Sequence, residues 1–209
     1  APPRGLTALF DLCIIPAHDG RKGDNVIETT GAMNLIQASP KKNASAGLFL
    51  IGGPSQHHHW DENLLLTQVS AILSSSPELQ WTLTTSRRTP NSTTEKLLSL
   101  KADHMQVVPV EETEADWLPQ QLAQTACAWV TEDSVSMVYE ALSSGAKVGL
   151  LNVPRKAGRS RVTRGLDSLK ESRHILSYSE NQADLTTFRS PPPLNEAQRI
   201  AKIVAERFF

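Results

Sequence analysis

CAWVTEDSVSMVYEALSSGAKVGLLNV, residues 127–153, predicts a buried strand, a helix and a second buried strand in succession. The apolar runs at its two ends have the length and composition of strands that are covered on both faces. Between them, Ser134–Ser144 is predicted to be helical, with Asp133 as its N-cap and Gly145 as the residue that ends it. A strand, a helix and a further strand form the repeating unit of a parallel α/β sheet.

The same alternation extends on both sides of this stretch. Five strands separated by helical segments are predicted at Leu48–Ile51, Gln80–Thr85, Met105–Val110, Cys127–Val130 and Val148–Val153. Short connections between such elements favour a parallel sheet with right-handed crossovers. The predicted fold class is therefore α/β, a Rossmann-like open parallel sheet with helices on both faces. A capping box at Ser92-Thr93-Thr94-Glu95 is predicted to begin one of the helices.

The segments outside this region are less regular. Phe10–Pro16 predicts one more short strand, whereas residues 17–47 are interpreted as a connector rather than core. The expected division is a terminal strand and connector over residues 1–46, left from an N-terminal domain, and a Rossmann-like domain over residues 47–190. A C-terminal helix within residues 191–209 is expected to pack back on the fold.

Composition limits the class of protein. The 209 residues include 21 Lys and Arg against 22 Asp and Glu, so no charge-driven binding of nucleic acid is expected. No apolar run approaches the length of about 18 residues that a transmembrane helix requires. Cys13 and Cys127 lie in strand-like apolar runs, which predicts buried thiols and a reducing, cytoplasmic location.

Glycine and polar residues follow the predicted strands at their carboxyl ends, where open parallel sheets bind their ligands. Glycines let a backbone approach a phosphate closely, and guanidinium groups bind anions. The candidates are Gly52, Gly53 and Ser55 after one strand, and Ser86, Arg87 and Arg88 after the next. The alternative interpretation is a structural turn followed by solvated arginines.

Further candidates lie around the helix of the quoted stretch. Its carboxylates and hydroxyls suit a nucleotide, with the alternative that Glu140 is an ordinary surface residue. These candidates are Asp133, Ser134, Ser136 and Glu140. A basic loop follows the last predicted strand and is a candidate surface for an anion or a protein partner, or else a solvated loop; it contains Arg155, Arg159, Arg161 and Arg164.

Two histidine motifs allow more than one interpretation. His18, followed by Asp19 at a strand end, fits either a general base with its orienting carboxylate or a structural turn. His57-His58-His59 resembles a metal motif, but consecutive residues of a helix point in different directions, so no metal site is predicted. The glycine fingerprint of dinucleotide-binding proteins is absent, and no cofactor is predicted.

Six segments carry a resemblance to a known family. In chain order they are FDLCIIPAHDG, NVIETTGAMN, LFLIGGPSQHHHW, TLTTSRRTP, WVTEDSVSMVYEALSSGAKVGLL and GRSRVTRGLD. Together they resemble the mitochondrial-fission-protein family, which is named from a plant elongated-mitochondria mutant and has many bacterial members. Those bacterial members often carry the label nucleoside-diphosphate-sugar epimerase. The resemblance covers residues 9–170.

The resemblance implies a GT-B glycosyltransferase-like fold, in which two Rossmann-like domains face each other across a cleft. Residues 47–190 would then be the nucleotide-sugar-binding domain, with Glu140 at the ribose and Ser134 and Ser136 facing the diphosphate. Its substrate or ligand would be a nucleoside diphosphate sugar. Family members carry many more residues ahead of the Phe10–Pro16 strand, so most of the acceptor half of the cleft is expected to lie outside this chain.

Three hypotheses for the function follow. The first is the nucleotide-sugar-binding part of a glycosyltransferase-related protein, with either Arg87 or Arg88 on the phosphates and His18 as the candidate base. The second is a non-catalytic adaptor, as the role of the plant members in recruiting a dynamin-like protein suggests. The third is a sugar-nucleotide epimerase that works without nicotinamide, because no Lys lies four residues after either Tyr.

Overall fold

The structure, a computed structural model, describes residues 6–100, 102–157, 161–178, 184–189 and 191–209, without the side chains at positions 161 and 162. Two short strands, β1 (Cys13–Pro16) and β2 (Val26–Thr29), pair in parallel as a separate sheet. The main sheet contains β3 (Asn43–Leu50), β4 (Gln80–Thr84), β5 (Met105–Val108), β6 (Thr125–Thr131), β7 (Lys147–Leu151) and β8 (Ile175–Ser177). All of its strand pairs are parallel, so the predicted fold class is confirmed.

Helices cover both faces of the main sheet. They are α1 (Glu62–Ser75), α2 (Asn91–Leu98), α3 (Trp117–Gln124), α4 (Val135–Ser144), α5 (Arg161–Glu171) and α6 (Glu196–Phe208). Side chains of a strand alternate between faces, and β3 shows the result. Leu48 and Leu50 pack in one apolar cluster with residues of α4 and α5, whereas Phe49 packs in a second cluster with residues of α1 and α2.

The order of strands across the main sheet is β5-β4-β3-β6-β7-β8. The chain therefore runs outward from β3 to one edge, returns to the other side of β3 with β6, and continues to the opposite edge. Such a reversal between β3 and β6 is a topological switch point, and the helices on its two sides leave a crevice at the carboxyl ends of these strands.

Two tryptophans pack on glycines of the neighbouring strands. Trp81 lies opposite Gly47 in the register of β3 and β4, and Trp129 lies opposite Gly149 in the register of β6 and β7. A Cβ atom on either glycine would overlap the six-membered ring of its tryptophan. Trp129 is 1% exposed, so the ring fills space in the core that the glycine leaves open.

The sequence-based boundaries need three corrections. Residues 17–47 are not only a connector, because they contain β2 and the first part of β3. The capping box is wrong: α2 begins at Asn91, and the Ser92 hydroxyl instead donates to Glu62 Oε1 on α1 at 2.9 Å. β8 was not predicted, because a strand of three residues is too short to show a hydrophobic pattern in the sequence.

The predicted thiols and the predicted C-terminal helix are found. Cys13 and Cys127 are both buried and free, and burial raises the pKa of Cys127 to about 12. Helix α6 packs against β2: Glu196 Oε2 accepts a hydrogen bond from the backbone N–H of Thr30 at 2.8 Å, and the Arg199 guanidinium donates to the carbonyl of Glu28 at 2.6 Å. Within the described residues, no helix has the length and apolar character needed to cross a membrane.

We expect Gly149→Ala to lower the free energy of unfolding by about 1 to 3 kcal/mol, because the added methyl group meets the ring of a buried tryptophan. Urea denaturation at an unchanged m-value would measure the loss. Gly23→Ala is the matched control: a Cβ there lies no closer than 3.3 Å to any neighbour, and a change within about 0.5 kcal/mol is expected. An equal loss in both variants would contradict the packing argument.

Candidate functional site

The crevice between β3 and β6 is closed by hydrogen bonds from the glycine turn after β3. The N–H of Gly52 donates to Thr131 Oγ1 at 2.7 Å, and the N–H of Gly53 donates to Asp133 Oδ2 at 3.0 Å. A Cβ on Gly52 would overlap the Asp133 carboxylate, and one on Gly53 would overlap the backbone of Arg88. The two glycines are therefore needed for close approach, and their amides are already bonded within the protein.

Arg88 covers this crevice from the loop after β4. Its guanidinium lies 2.8 Å from Asp133 Oδ2 and also donates to the carbonyls of Gly53 and Pro54. The Asp133 side chain is fully buried, and its second oxygen, Oδ1, has no hydrogen-bond partner among the described residues. Asp133 was predicted to cap α4; that prediction is wrong, because the carboxylate binds Gly53 and Arg88 and Ser134 is the N-cap residue.

A cavity of about 570 Å³ lies beside α4, next to this network. It brings together the candidates that the sequence placed after β4 with those on α4 and its N-cap, whereas Gly52, Gly53 and Asp133 do not line it. Its polar lining includes Ser86, Arg87, Arg88, Ser134, Ser136 and Glu140, and the remaining lining is Thr84, Thr85, Val110, Thr113, Trp117, Leu118 and Met137. A volume between about 300 and 1,000 Å³ is typical of small-molecule sites.

The start of α4 offers hydrogen-bond donors to this cavity. The first N–H groups of a helix have no partner inside the helix, and Ser134 makes no capping bond through its side chain. Ser134 is buried and Ser136 is exposed, and both line the cavity. The helix dipole adds a partial positive charge at this end, so the position favours an anionic group.

Glu140 lies on the same helix, one turn beyond Ser136. Burial raises the pKa of its carboxyl above the ordinary value of 4.5, and among the described residues no ion pair offsets this effect. A half-buried carboxylate without a cation beside it is unfavourable for stability, and such groups are common at functional sites. The carboxylate is an acceptor for hydroxyl groups of a ligand.

The basic loop is partly neutralised. Arg155 forms ion pairs with Glu132, which is almost fully buried, and with Asp167 of α5 at 2.8 Å, while Lys170 approaches Glu132 at 3.2 Å. These contacts join the end of β6 to α5 and engage the guanidinium of Arg155. Arg159 and the side chain of Arg161 lie outside the described residues, and Arg164 is exposed on α5.

Two further candidates lie away from the cavity beside α4. His18 is in the turn after β1 and lines a different cavity, with Tyr139 and Gly165. Ser55 is held in a local turn, where its hydroxyl accepts from the backbone N–H groups of His57 and His58. Neither residue is placed beside Glu140.

Sequence reasoning missed the lining that follows β5. Val110 and Thr113 come directly after the edge strand, and Trp117 begins the next helix. The rule that ligands bind at the carboxyl ends of strands pointed to this loop as well. It was passed over because the loop has none of the glycines or basic residues that marked the other strand ends.

The comparisons with known proteins identify a family and a fold. The sequence model of the family described as mitochondrial fission ELM1 matches residues 1–208. No protein with a curated description matches the chain by sequence.

Solved structures match the fold at low identity. A Listeria monocytogenes protein described as a UDP-N-acetylglucosamine 2-epimerase matches with a TM-score of 0.50 at 12% identity, over 91% of this chain and 56% of that chain. S. aureus MnaA, solved with UDP, matches with a TM-score of 0.48 at 13% identity, over 96% of this chain and 61% of that chain. The pneumococcal O-GlcNAc transferase GtfA matches with a TM-score of 0.44 at 12% identity, over 94% of this chain and 45% of that chain. The chain spans about half the length of these proteins. The match to the Listeria monocytogenes protein confirms the expected GT-B-like fold.

We expect Asp133→Asn to lower the free energy of unfolding by about 1 to 3 kcal/mol, because it removes the buried charge that binds Arg88. Arg88→Gln should have a smaller effect, since its side chain is 42% exposed and the pair is screened from that side. Urea denaturation of both single variants and the double variant would measure the coupling. Asp103→Asn, at an exposed position, is the control; strict additivity of the two variants would contradict the pairing.

We expect Glu140→Gln to raise the free energy of unfolding near neutral pH. The folded state raises the pKa of Glu140, so it holds the proton more tightly than the unfolded state, and wild-type stability falls as pH rises from about 4.5 through the raised pKa. The variant avoids this loss, so its advantage should appear above the raised pKa and vanish in acid. Stability curves against pH, with exposed Glu95→Gln as control, would measure it. A destabilised variant at neutral pH would contradict the proposed cause.

Proposed function

The chain belongs to the family described as mitochondrial fission ELM1, and from that premise we propose that the cavity beside α4 binds a nucleoside diphosphate sugar. The observation that carries the proposal is that one cavity joins an uncapped helix start, an arginine and a half-buried carboxylate. These are the chemical groups that bind a diphosphate and the hydroxyls of a ribose.

The diphosphate would lie at the start of α4. Backbone N–H groups of the first helical turn and the Ser136 hydroxyl would donate to it. Arg87, which is exposed and forms no ion pair with a described residue, would supply the positive charge. Arg88 is the weaker choice of the two arginines, because Asp133 and two backbone carbonyls already hold its guanidinium.

The ribose would lie against Glu140. Four residues separate Ser136 from Glu140, which is about 6 Å along a helix axis. A nucleotide lying along α4 would therefore present its phosphates to the first turn and its ribose hydroxyls to the carboxylate. Both ribose hydroxyls are donors and an ionised carboxylate accepts only, so the pairing is complementary.

The base would contact the apolar part of the lining. Trp117 is half-buried and lines the cavity together with Val110 and Met137. A flat aromatic base gains from stacking on an indole ring, and such stacking tolerates every base. The backbone N–H of Val110 donates to the Thr85 hydroxyl, and the carbonyl of Val110 accepts from the Thr113 hydroxyl. Because both groups already have partners, this lining does not by itself select one base over another.

The proposed chemistry is glycosyl transfer: the oxygen of an acceptor hydroxyl bonds to the anomeric carbon and gives up its proton, while the bond to the diphosphate breaks and the nucleoside diphosphate leaves with the electron pair. The start of α4 and Arg87 would stabilise the negative charge that develops on it. The fold likeness to a protein described as a UDP-N-acetylglucosamine 2-epimerase supports a nucleotide sugar as the ligand class. His18 lies in another cavity than Glu140 and is therefore not assigned as the base of this reaction.

We expect the full chain to bind nucleoside diphosphates, and Glu140→Gln to weaken that binding by about ten- to a hundredfold, since it removes a charged acceptor. Arg87→Gln should weaken it to a similar extent. Isothermal titration with UDP, GDP and ADP would measure the dissociation constants.

Wild-type binding should also weaken as the pH falls through the raised pKa of Glu140, because the protonated carboxyl loses its charge. Glu95→Gln, an exposed glutamate on α2, is the matched control and should bind as the wild type does. No heat of binding at millimolar ligand, or equal binding by Glu140→Gln, would refute the proposal.

A further inference from the structure

A second cavity, of about 380 Å³, lies between the turn after β1, the loop after β2, and helices α4 and α5. It shares no lining residue with the cavity beside α4. Its lining contains the polar residues His18, Thr30, Tyr139, Arg164, Ser168 and Ser172.

The phenol of Tyr139 is an unused hydrogen-bond donor in this cavity. The residue is only 3% exposed, yet no described residue forms a hydrogen bond with its hydroxyl. Burial raises the pKa of Tyr139 to about 12, so the hydroxyl keeps its proton near neutral pH and donates. The hydroxyl opens into the cavity, where it can donate to an oxygen of a ligand.

Two glycines make room for this phenol. Gly31 has a φ of +81°, and a Cβ on it would overlap the phenol ring. Gly165 lies within α5, and a Cβ there would be 3.2 Å from His18 Nδ1 and 3.3 Å from the Tyr139 hydroxyl. Glycine inside a helix is less favourable than alanine by about 1 kcal/mol, so its presence indicates that the open space matters.

The charge of the cavity favours an anion. Arg164 is exposed at its edge and forms no ion pair with a described residue. The carboxylate of α5 nearest to it in sequence, Asp167, is bound by Arg155. No Asp or Glu is among the residues that line the cavity. A guanidinium and a protonated phenol together bind oxyanions by charge-assisted hydrogen bonds.

We propose that this second cavity binds a small organic anion, whose phosphate or carboxylate group accepts hydrogen bonds from the Arg164 guanidinium and the Tyr139 hydroxyl. Ser168 lines the same cavity, and its hydroxyl suits the polar remainder of such a molecule, whereas the Ser172 hydroxyl already donates to the carbonyl of Ser168 at 2.7 Å. The volume of the cavity, about 380 Å³, lies within the range typical of small-molecule sites.

Glycerol 3-phosphate, glycerate and neutral glycerol would test the proposal as probes with one carbon skeleton. Added to the full chain, an anionic probe should shift the backbone amide resonances of Gly31 and Gly165, and glycerol should not. Binding of the phosphate or of the glycerate tells which oxyanion the site takes. Absence of shifts with both at tens of millimolar, or equal shifts with glycerol, would overturn the proposal.

Three variants make the test specific. Tyr139→Phe should weaken binding about tenfold while leaving the thermal midpoint unchanged or raised, because the lost hydroxyl has no partner in the part of the chain that the structure describes. Arg164→Gln should abolish binding, whereas Arg207→Gln, an exposed arginine on α6, should not change it. A lowered thermal midpoint in Tyr139→Phe would show a structural role for the hydroxyl and overturn the proposal.

Glu140→Gln separates the two cavities. It should weaken nucleoside diphosphate binding and leave the binding of glycerol 3-phosphate or glycerate unchanged. Loss of the small anion in Glu140→Gln would show that the two cavities act as one site, and it would overturn the second site without touching the first.

Discussion

The carboxylate of Asp133 lies where three segments far apart in sequence meet. Its Oδ2 atom accepts from the Gly53 amide after β3 and from the Arg88 guanidinium after β4, while its own backbone leads from β6 into α4. The loops around the switch point are thereby held in one arrangement. The geometry of the cavity beside α4 depends on this contact, because Arg88 and the start of α4 both form its wall.

The repeating pattern was predictable where it was long and regular. The stretch from β6 through α4 to β7 follows strand and helix periodicity closely, and with it Glu140 was placed on the helix that lines the cavity. The partner of Asp133 was not predictable, because a carboxylate before a helix has the same local pattern whether it caps the helix or binds a residue 45 positions away. The choice between Arg87 and Arg88 depends on the same non-local contact.

The two carboxylates at α4 have opposite environments. Asp133 is fully buried but bound to a guanidinium and an amide, so its charge contributes to the fold. Glu140 is half-buried, and burial raises the pKa of its carboxyl. Just before α4, one carboxylate thus holds the loops together, and a second, half-buried carboxylate lies on the helix without an ion pair to a described residue. Carboxylates with a pKa shifted in this way are common at functional sites.

The attachment of α6 to β2 has a consequence for how the chain acquires its shape. Glu196 and Arg199 reach backbone groups that are 166 and 171 positions earlier, and the loss of chain entropy on closing a loop grows with such separation. Within the described residues, four of the five strand pairs of the main sheet join successive strands, and all of its strands precede α6 in the chain. The β1–β2 pair precedes α6 in the chain, so during synthesis it lacks these contacts until α6 has been made.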